Sequence, residues 1–142
     1  MKNFRDITEA KETAVFTFGR FNPPTIGHEK LIKKVSQVAG SDPYYIYPSF
    51  TTNPKKDPLP HALKVAYMKK MFPKHSRNII TTKDRMVFEI AVSLYNKGHK
   101  SIVMVVGSDR VTEFDGLLNK YNGVEGRHGY YEFEDIQVIS AG

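Results

Sequence analysis

The sequence predicts an α/β fold built on a mostly parallel sheet. Segments rich in β-branched and aromatic residues alternate with segments whose apolar residues recur at helical spacing, and the alternation continues along the chain. Residues 102–106 (IVMVV) are apolar at every position, which is typical of a central strand covered on both faces. With 142 residues, 40% of them hydrophobic and 12% aromatic, the chain has the size and composition of one domain, residues 1–142, with a buried core.

The elements follow one another with recognisable boundaries. Five strands are predicted, at residues 14–18, 44–47, 78–81, 101–106 and near 136–139. Helices are predicted between them, at residues 28–39, 61–72, 83–97 and in a segment that ends near residue 119. Gly40, Pro73 and Gly98 follow the first three helices as stop signals, and Thr82 is a predicted N-cap.

Apolar stripes predict which helix faces are buried. The first helix carries its stripe on Leu31, Ile32, Val35, Val38 and Ala39. The second carries Leu63, Ala66, Tyr67, Met71 and Phe72. The sequence therefore predicts a Rossmann-like, doubly wound, five-stranded sheet with helices on both faces, in which ligands bind beyond the carboxyl ends of the strands where the strand order reverses.

Composition and charge exclude several classes of protein. The chain lacks an apolar run of the roughly 18 residues that a membrane span needs, and it lacks an apolar signal segment at its start. It contains no cysteine, so disulfide frameworks and thiolate sites are excluded and a reducing compartment, the cytoplasm, is expected. Residues 20–85 hold 13 of the 21 basic residues and 4 of the 15 acidic ones, a local charge of +9. A basic stretch of this kind favours an anionic ligand such as nucleotide phosphates, although most of these lysines are expected on solvated faces.

The segment GRFNPPTIGH, residues 19–28, lies between the first strand and the first helix, where a doubly wound sheet binds phosphate. Gly19 allows close approach of a ligand to the backbone. Gly27 and His28 open the helix, where backbone N–H groups and the helix dipole favour an anion. Thr25 can present a hydroxyl group to the same anion. The segment matches neither the Walker A pattern nor GxGxxG, so the residues alone predict an anion site, with a helix-capping histidine as the simpler alternative.

These residues resemble the [H/T]-x-G-H motif of the nucleotidyltransferase superfamily, which includes nicotinamide-mononucleotide and phosphopantetheine adenylyltransferases and the cytidylyltransferases. Thr25 stands where many members have the first histidine, and the string is most similar to phage-encoded, cytidylyltransferase-like members. Two weaker matches follow. Residues 53–60, with Lys55 and Lys56, resemble the lysine-bearing loop after the second strand, and residues 107–109 (GSD) resemble the segment after the fourth. Residues 138–142 do not contain the family's final I-S-[ST]-T-x-[IV]-R motif, so we expect weaker turnover if that motif is required.

The resemblance implies transfer of AMP or CMP from a nucleoside triphosphate to a small phosphorylated acceptor, with release of pyrophosphate. The implied catalytic residues are Thr25, His28, Lys55 and Lys56, with no basis for choosing between the two lysines. The implied nucleotide-binding residues are Gly19, Arg20, Phe21, Asn22, Gly27, Gly107, Ser108, Asp109 and Arg110. Mg²⁺ is the implied cofactor, bound mainly through the nucleotide phosphates.

Two other function classes stay open. One is a catalytically impaired nucleotide-binding or structural protein that retains the fold. The other is a nucleic-acid binder, which is not favoured because residues 20–85 lack an interleaved aromatic and basic platform. No membrane partner is expected, an assembly of identical chains is allowed, and the location is the cytoplasm, that of the host if the chain is phage-encoded.

Four histidines share no metal spacing and are expected at the surface, so no metal site is predicted; they are His61, His75, His99 and His128. Tyr130, Tyr131 and Phe133 are expected to pack at the sheet edge rather than stack on a base.

Overall fold

The computed structural model describes residues 12–21, 26–49, 60–81, 86–127 and 129–141. Its strands are β1 (Thr13–Gly19), β2 (Tyr44–Pro48), β3 (Ser101–Val106) and β4 (Asp135–Ser140). Its helices are α1 (Ile26–Ala39), α2 (His61–Met71), α3 (Val87–Asn96) and α4 (Val111–Lys120). Short 3₁₀ helices, Pro73–Asn78 and Ser108–Arg110, precede α3 and α4. No helix among these residues is both long enough and apolar enough to cross a bilayer.

The four strands form one parallel sheet in the order β2-β1-β3-β4. The chain moves outward from β1 to β2 and then crosses back to the other side of β1 to form β3. The strand order therefore reverses between β1 and β3, which are paired from Thr13 with Ser101 to Phe16 with Met104. This confirms the predicted α/β class and the mostly parallel sheet.

The predicted strand at residues 78–81 is wrong, so the sheet has four strands in the described residues rather than five. Only Ile79 forms a β-bridge, to Ile46, and the residues before it form the 3₁₀ helix Pro73–Asn78. The Asn78 side-chain amide donates to the carbonyl oxygen of Tyr44 at 3.0 Å. The Asn78 side chain thus occupies a backbone carbonyl of β2 to which a fifth strand would have donated. In the described part of the chain, the hydrogen-bond ladder of the sheet therefore does not extend beyond β2 on this side.

Helices cover both faces of the sheet, as the doubly wound prediction requires. Helices α1 and α2 pack on one face, where Ile32 and Val35 of α1 and Met68 of α2 are fully buried. Helices α3 and α4 pack on the other, and their fully buried residues are Ile90, Ala91, Leu94 and Leu118. Strand β3 contributes to both layers, since Met104 faces α3 and α4 while Val105 faces α1. This confirms that β3 is a central strand covered on both faces.

The buried face of α2 differs from the predicted one. Leu63, Tyr67 and Met71 are 43%, 45% and 37% exposed. The buried residues of α2 are instead Lys64, Val65 and Met68. Apolar residues occur on both sides of this helix, and the side that continues into Phe72 packs beneath Ile46 and Ile79. Packing against neighbours therefore decided between two stripes that periodicity alone could not separate.

Helix α3 begins later than predicted, at Val87 rather than residue 83. The Met86 backbone N–H donates to a carboxylate oxygen of Glu89 at 3.0 Å, which satisfies one donor at the start of the helix. Thr82, the predicted N-cap, lies outside the described residues.

Of the three aromatic residues expected to pack at the sheet edge, Tyr131 and Phe133 are buried in the core before β4, whereas Tyr130 is only partly buried. Tyr131 and Phe133 are each 3% exposed and belong to the cluster beneath α3 and α4. The Tyr131 hydroxyl donates to the carbonyl oxygen of Leu118 at 2.7 Å, in the last turn of α4. Burial raises the pKa of Tyr131 to about 12. These rings hold the end of α4 against the sheet.

Candidate functional site

Two glycine-bearing turns leave neighbouring strands at the carboxyl edge of the sheet. The β1 turn (residues 19–21) follows β1, and the β3 turn (residues 107–110) follows β3. The paired residues Phe16 and Met104 each lie three positions before Gly19 and Gly107. The register therefore directs both turns into one crevice at the reversal point, where doubly wound sheets bind their ligands.

The β1 turn is shaped by the buried ring of Phe21. This residue has a φ of 47°, in the left-handed region, and its side chain is 3% exposed. A Cβ atom on Gly19 would lie 3.3 Å from the Phe21 ring, closer than an ordinary contact. Glycine at position 19 thus allows the chain to fold back until the ring enters the cluster of Ile32 and Met68. Arg20, between them, is exposed.

Phe21 also supports the histidine that opens the first helix. The rings of Phe21 and His28 meet edge to face, with centroids 4.7 Å apart and an interplanar angle of 64°. His28 is partly buried in the first turn of α1, and Gly27 beside it is exposed. The first N–H groups of a helix have no partner within the helix and favour an anion there. The fold therefore places the imidazole and these N–H groups together.

Burial sets the protonation state of His28. Loss of solvent lowers the pKa of His28 from its ordinary value of 6.5. The imidazole is therefore neutral near pH 7, with one ring nitrogen as a donor and the other as an acceptor. A neutral ring can donate one hydrogen bond to a phosphate oxygen without carrying a charge of its own.

The β3 turn is exposed and tightly wound. A Cβ atom on Gly107 would lie 2.9 Å from Oδ1 of Asp109, so a larger residue at position 107 would require this carboxylate to move. Ser108, Asp109 and Arg110 form the 3₁₀ helix, and all are exposed. The Arg110 guanidinium contacts Glu113 at 2.9 Å and lies over the ring of Phe114. Ser108 and Asp109 are therefore accessible at this edge of the sheet, while Arg110 lies back along α4.

The fold brings together the predicted residues of the β1 turn, Gly27 and His28, and the β3 turn at one edge. Four other predicted site residues, Asn22, Thr25, Lys55 and Lys56, lie outside the described residues.

A buried polar group at the same edge was not predicted from the sequence. Lys64 of α2 is fully buried, and its ammonium group donates to the carbonyl oxygen of Ser49 at 2.7 Å. The Ser49 N–H donates in turn to the carbonyl oxygen of Gly19, also at 2.7 Å. Lysine is almost never fully buried, so composition gave no reason to place it inside. Its position four residues before Met68, on the stripe that is buried, is the one signal that could have found it.

The expectation of surface histidines is wrong for His99. This residue is 6% exposed, and its Nε2 lies 3.1 Å from the hydroxyl of Tyr45. His75 is partly buried, with its Nδ1 at 2.8 Å from the hydroxyl of Tyr44. His61 is also partly buried, and His128 lies outside the described residues. Across the described part of the chain, no group of three or more histidine or carboxylate side chains could hold a metal ion.

Comparison with known proteins identifies the family. The model of the family described as cytidylyltransferase-like matches residues 16–138, which include the second half of β1, both turns and most of β4. A protein of Sulfurimonas denitrificans named "Probable nicotinate-nucleotide adenylyltransferase" is 27% identical over 110 residues. The alignment covers 72% of this chain and 59% of that protein, so the chain spans about three fifths of the relative's length. The family model matches most of the chain, and the sheet has the parallel topology with the β1 and β3 turns at its reversal point. The chain therefore belongs to the cytidylyltransferase-like family of the nucleotidyltransferase superfamily.

Proposed function

We propose that the protein transfers AMP or CMP from a nucleoside triphosphate to a small phosphorylated acceptor. The observation that carries this proposal is the placement of His28 at the start of α1, beside the β1 turn and at the reversal point of the sheet, in a chain of this family. The named relative makes nicotinate nucleotide the first acceptor to test, with ATP as donor.

In the proposed reaction an oxygen of the acceptor phosphate attacks the α-phosphorus of the triphosphate. A new bond forms between that oxygen and the α-phosphorus, the bond from the α-phosphorus to the bridging oxygen of the β-phosphate breaks, and pyrophosphate leaves. No covalent enzyme intermediate is needed. Catalysis then consists of positioning the two phosphates and stabilising the developing charge.

Each part of the site has a proposed role. His28 and Thr25 bind the α- and β-phosphates, together with the backbone N–H groups at the start of α1 and the residues of the β1 turn. Lys55 or Lys56 reaches the α-phosphate and the incoming acceptor phosphate. The β3 turn frames the base or ribose, since Ser108 and Asp109 are exposed on the other side of the crevice. Phe21 acts from beneath by fixing the ring of His28.

Mg²⁺ is the proposed cofactor and would be held chiefly by the triphosphate. The described residues offer no cluster of carboxylates for a protein-based cage. This donor set fits the usual behaviour of Mg²⁺, which binds nucleotide phosphates and retains several waters. The ion would supply charge neutralisation on the phosphates, and the chain would supply their orientation.

Pyrophosphate release with each of the four ribonucleoside triphosphates tests the proposal, with nicotinate nucleotide and other phosphorylated compounds as acceptors. We expect release with ATP or CTP in the presence of Mg²⁺. His28→Ala should lower kcat/KM by about 10²–10³-fold, the usual effect of removing one donor to the developing charge. Lys30→Ala is the control, because Lys30 is exposed on the same helix, two residues along. Full activity of His28→Ala would refute the assignment of the site. Binding of triphosphates by the wild-type chain without turnover would support a nucleotide-binding protein instead.

A further inference from the structure

Lys64 is a buried charge that the proposed chemistry does not yet use. Its side chain is fully buried at the carboxyl edge of the sheet, next to the end of β2. Removal of an ammonium group from water is costly unless good hydrogen bonds replace the lost hydration. On the same helix, Lys69 and Lys70 are exposed, as lysines usually are. The burial of Lys64 is therefore a specific property of this position.

The hydrogen bonds of Lys64 lead directly to the candidate site. Its ammonium nitrogen lies 2.7 Å from the carbonyl oxygen of Ser49, and the Ser49 N–H lies 2.7 Å from the carbonyl oxygen of Gly19. Gly19 begins the β1 turn. Ser49 is the residue from which the chain continues toward Lys55 and Lys56. One buried side chain is thus connected, through the backbone of one residue, Ser49, to both segments that carry proposed phosphate contacts.

His61 reinforces this arrangement one helical turn earlier. Burial chiefly, and the charge of Lys64 in addition, lower the pKa of His61, while the nearby Ser49 backbone opposes the shift. His61 is therefore a second polar side chain of α2 that lies near Ser49. Ser49 itself is 3% exposed, and no hydrogen bond to its Oγ is found within the described structure. Polar groups of α2 thus converge on the backbone of Ser49.

We propose that Lys64 is a positioning residue for nucleotidyl transfer, acting through Ser49 to fix the chain leaving β1 and the chain leaving β2 relative to each other. This inference rests on the proposed function. The attack geometry depends on phosphate contacts from both segments, and a displacement of about 1 Å far from the reacting atoms can cost on the order of 10²-fold in rate. Lys64 does not touch the nucleotide, since it is fully buried.

Lys64→Met tests the proposal, because methionine retains much of the apolar stem and removes the donor and the charge. Lys70→Met, on the exposed side of α2, is the matched control. We expect kcat of Lys64→Met to fall by about 10²-fold, with the KM for the triphosphate within about threefold of wild type. The control should retain both constants. A Lys64 variant that melts earlier but retains wild-type kcat would show a merely structural role and would overturn the proposal.

Amide hydrogen exchange gives a readout that does not depend on activity. The Ser49 N–H should exchange at least about tenfold faster in Lys64→Met than in Lys70→Met, while the amides that pair β1 with β3 remain protected. Unchanged exchange at Ser49 would overturn the positioning role of Lys64, whether or not the wild-type chain is active. A wild-type chain that releases no pyrophosphate would refute the proposed function, which is a separate conclusion. If Lys64→Met does not fold, Lys64→Gln, which lacks the charge and carries its donor one bond short of the lysine position, is measured in its place. A wild-type kcat and wild-type Ser49 exchange in that variant would likewise overturn the proposal.

Discussion

Single residues of the site are held by their packing before any ligand arrives. The ring of Phe21 supports the imidazole of His28 from the side of the core, and Gly19 gives that ring room to fold back. A site built on locked side chains loses little conformational freedom when it binds, which favours both affinity and correct orientation. Of these contacts, the sequence predicted the glycine and the histidine. The support from Phe21 depends on a left-handed backbone that the residue type does not suggest.

The protonation of His28 follows from this packing and can be measured. We expect the imidazole in the free protein to titrate below its ordinary value of 6.5, because burial disfavours the charged form. A lowered histidine pKa means that the unfolded chain binds the proton more tightly. This residue's contribution to stability is therefore constant above about pH 6.5 and is lost as pH falls below that value. NMR titration of the ring Cε1–H signals, assigned by His28→Ala, measures the pKa. Addition of inorganic tripolyphosphate should raise it, whereas a free-protein pKa above 6.5 would contradict the burial.

At the scale of elements, the strands and helices that the sequence predicted best are those whose apolar pattern permits only one arrangement. Strands β1 and β3 and helix α1 agree with prediction to within about two residues, because their burial patterns are unambiguous. The strand at residues 78–81 and the buried face of α2 were wrong for a shared reason. In both, a local pattern permitted two arrangements, and a tertiary contact chose between them: the Asn78 amide on Tyr44 in one, and the cluster of Val65, Met68 and Phe72 in the other.

Alanine substitutions on α2 distinguish its two faces. Met68→Ala should lower the free energy of unfolding by about 2–5 kcal/mol, because it leaves a cavity beneath Ile46 and Ile79. Leu63→Ala should lower it by no more than about 0.5 kcal/mol, since Leu63 is 43% exposed. Urea denaturation of the two variants and the wild type measures both values. Equal losses would mean that Leu63 is buried in solution and that the predicted stripe was right.

On the scale of the whole molecule, the topology brings the β1 and β3 turns to one edge of the sheet. The crossing from one side of β1 to the other brings the β1 and β3 turns together, and alternation of strands and helices was enough to predict it. Residues 20–85, with a charge of +9, include two of the three residues of the β1 turn, together with α1, β2 and α2. The sequence could not predict which of these cations is buried, because burial of Lys64 depends on the long-range approach of α2 to the end of β2.

Nucleotide binding should consequently depend on salt. We expect the Kd for Mg²⁺·ATP or Mg²⁺·CTP, measured by calorimetry, to rise as NaCl is raised from about 0.05 to about 0.5 M, over which the screening length falls severalfold. Contacts to phosphate by charged groups weaken under these conditions, whereas stacking of the base does not. The variant Lys33→Gln, at an exposed position of α1, should show nearly the wild-type slope. Affinity that is independent of salt would argue against phosphate contacts as the main source of binding.

The backbone conformation of Phe21 lowers the stability of the fold, while its ring supports the proposed catalytic histidine. A bulky residue with a φ of 47° carries conformational strain, on the order of 1–3 kcal/mol. Glycine there would remove the strain but also the ring that supports His28 and fills the cluster with Ile32 and Met68. Asparagine, which tolerates this conformation, would leave the same cavity. Evolution toward greater thermal stability therefore cannot relax this turn without loosening the imidazole. Stabilising substitutions should accumulate elsewhere in the chain while position 21 keeps its aromatic ring.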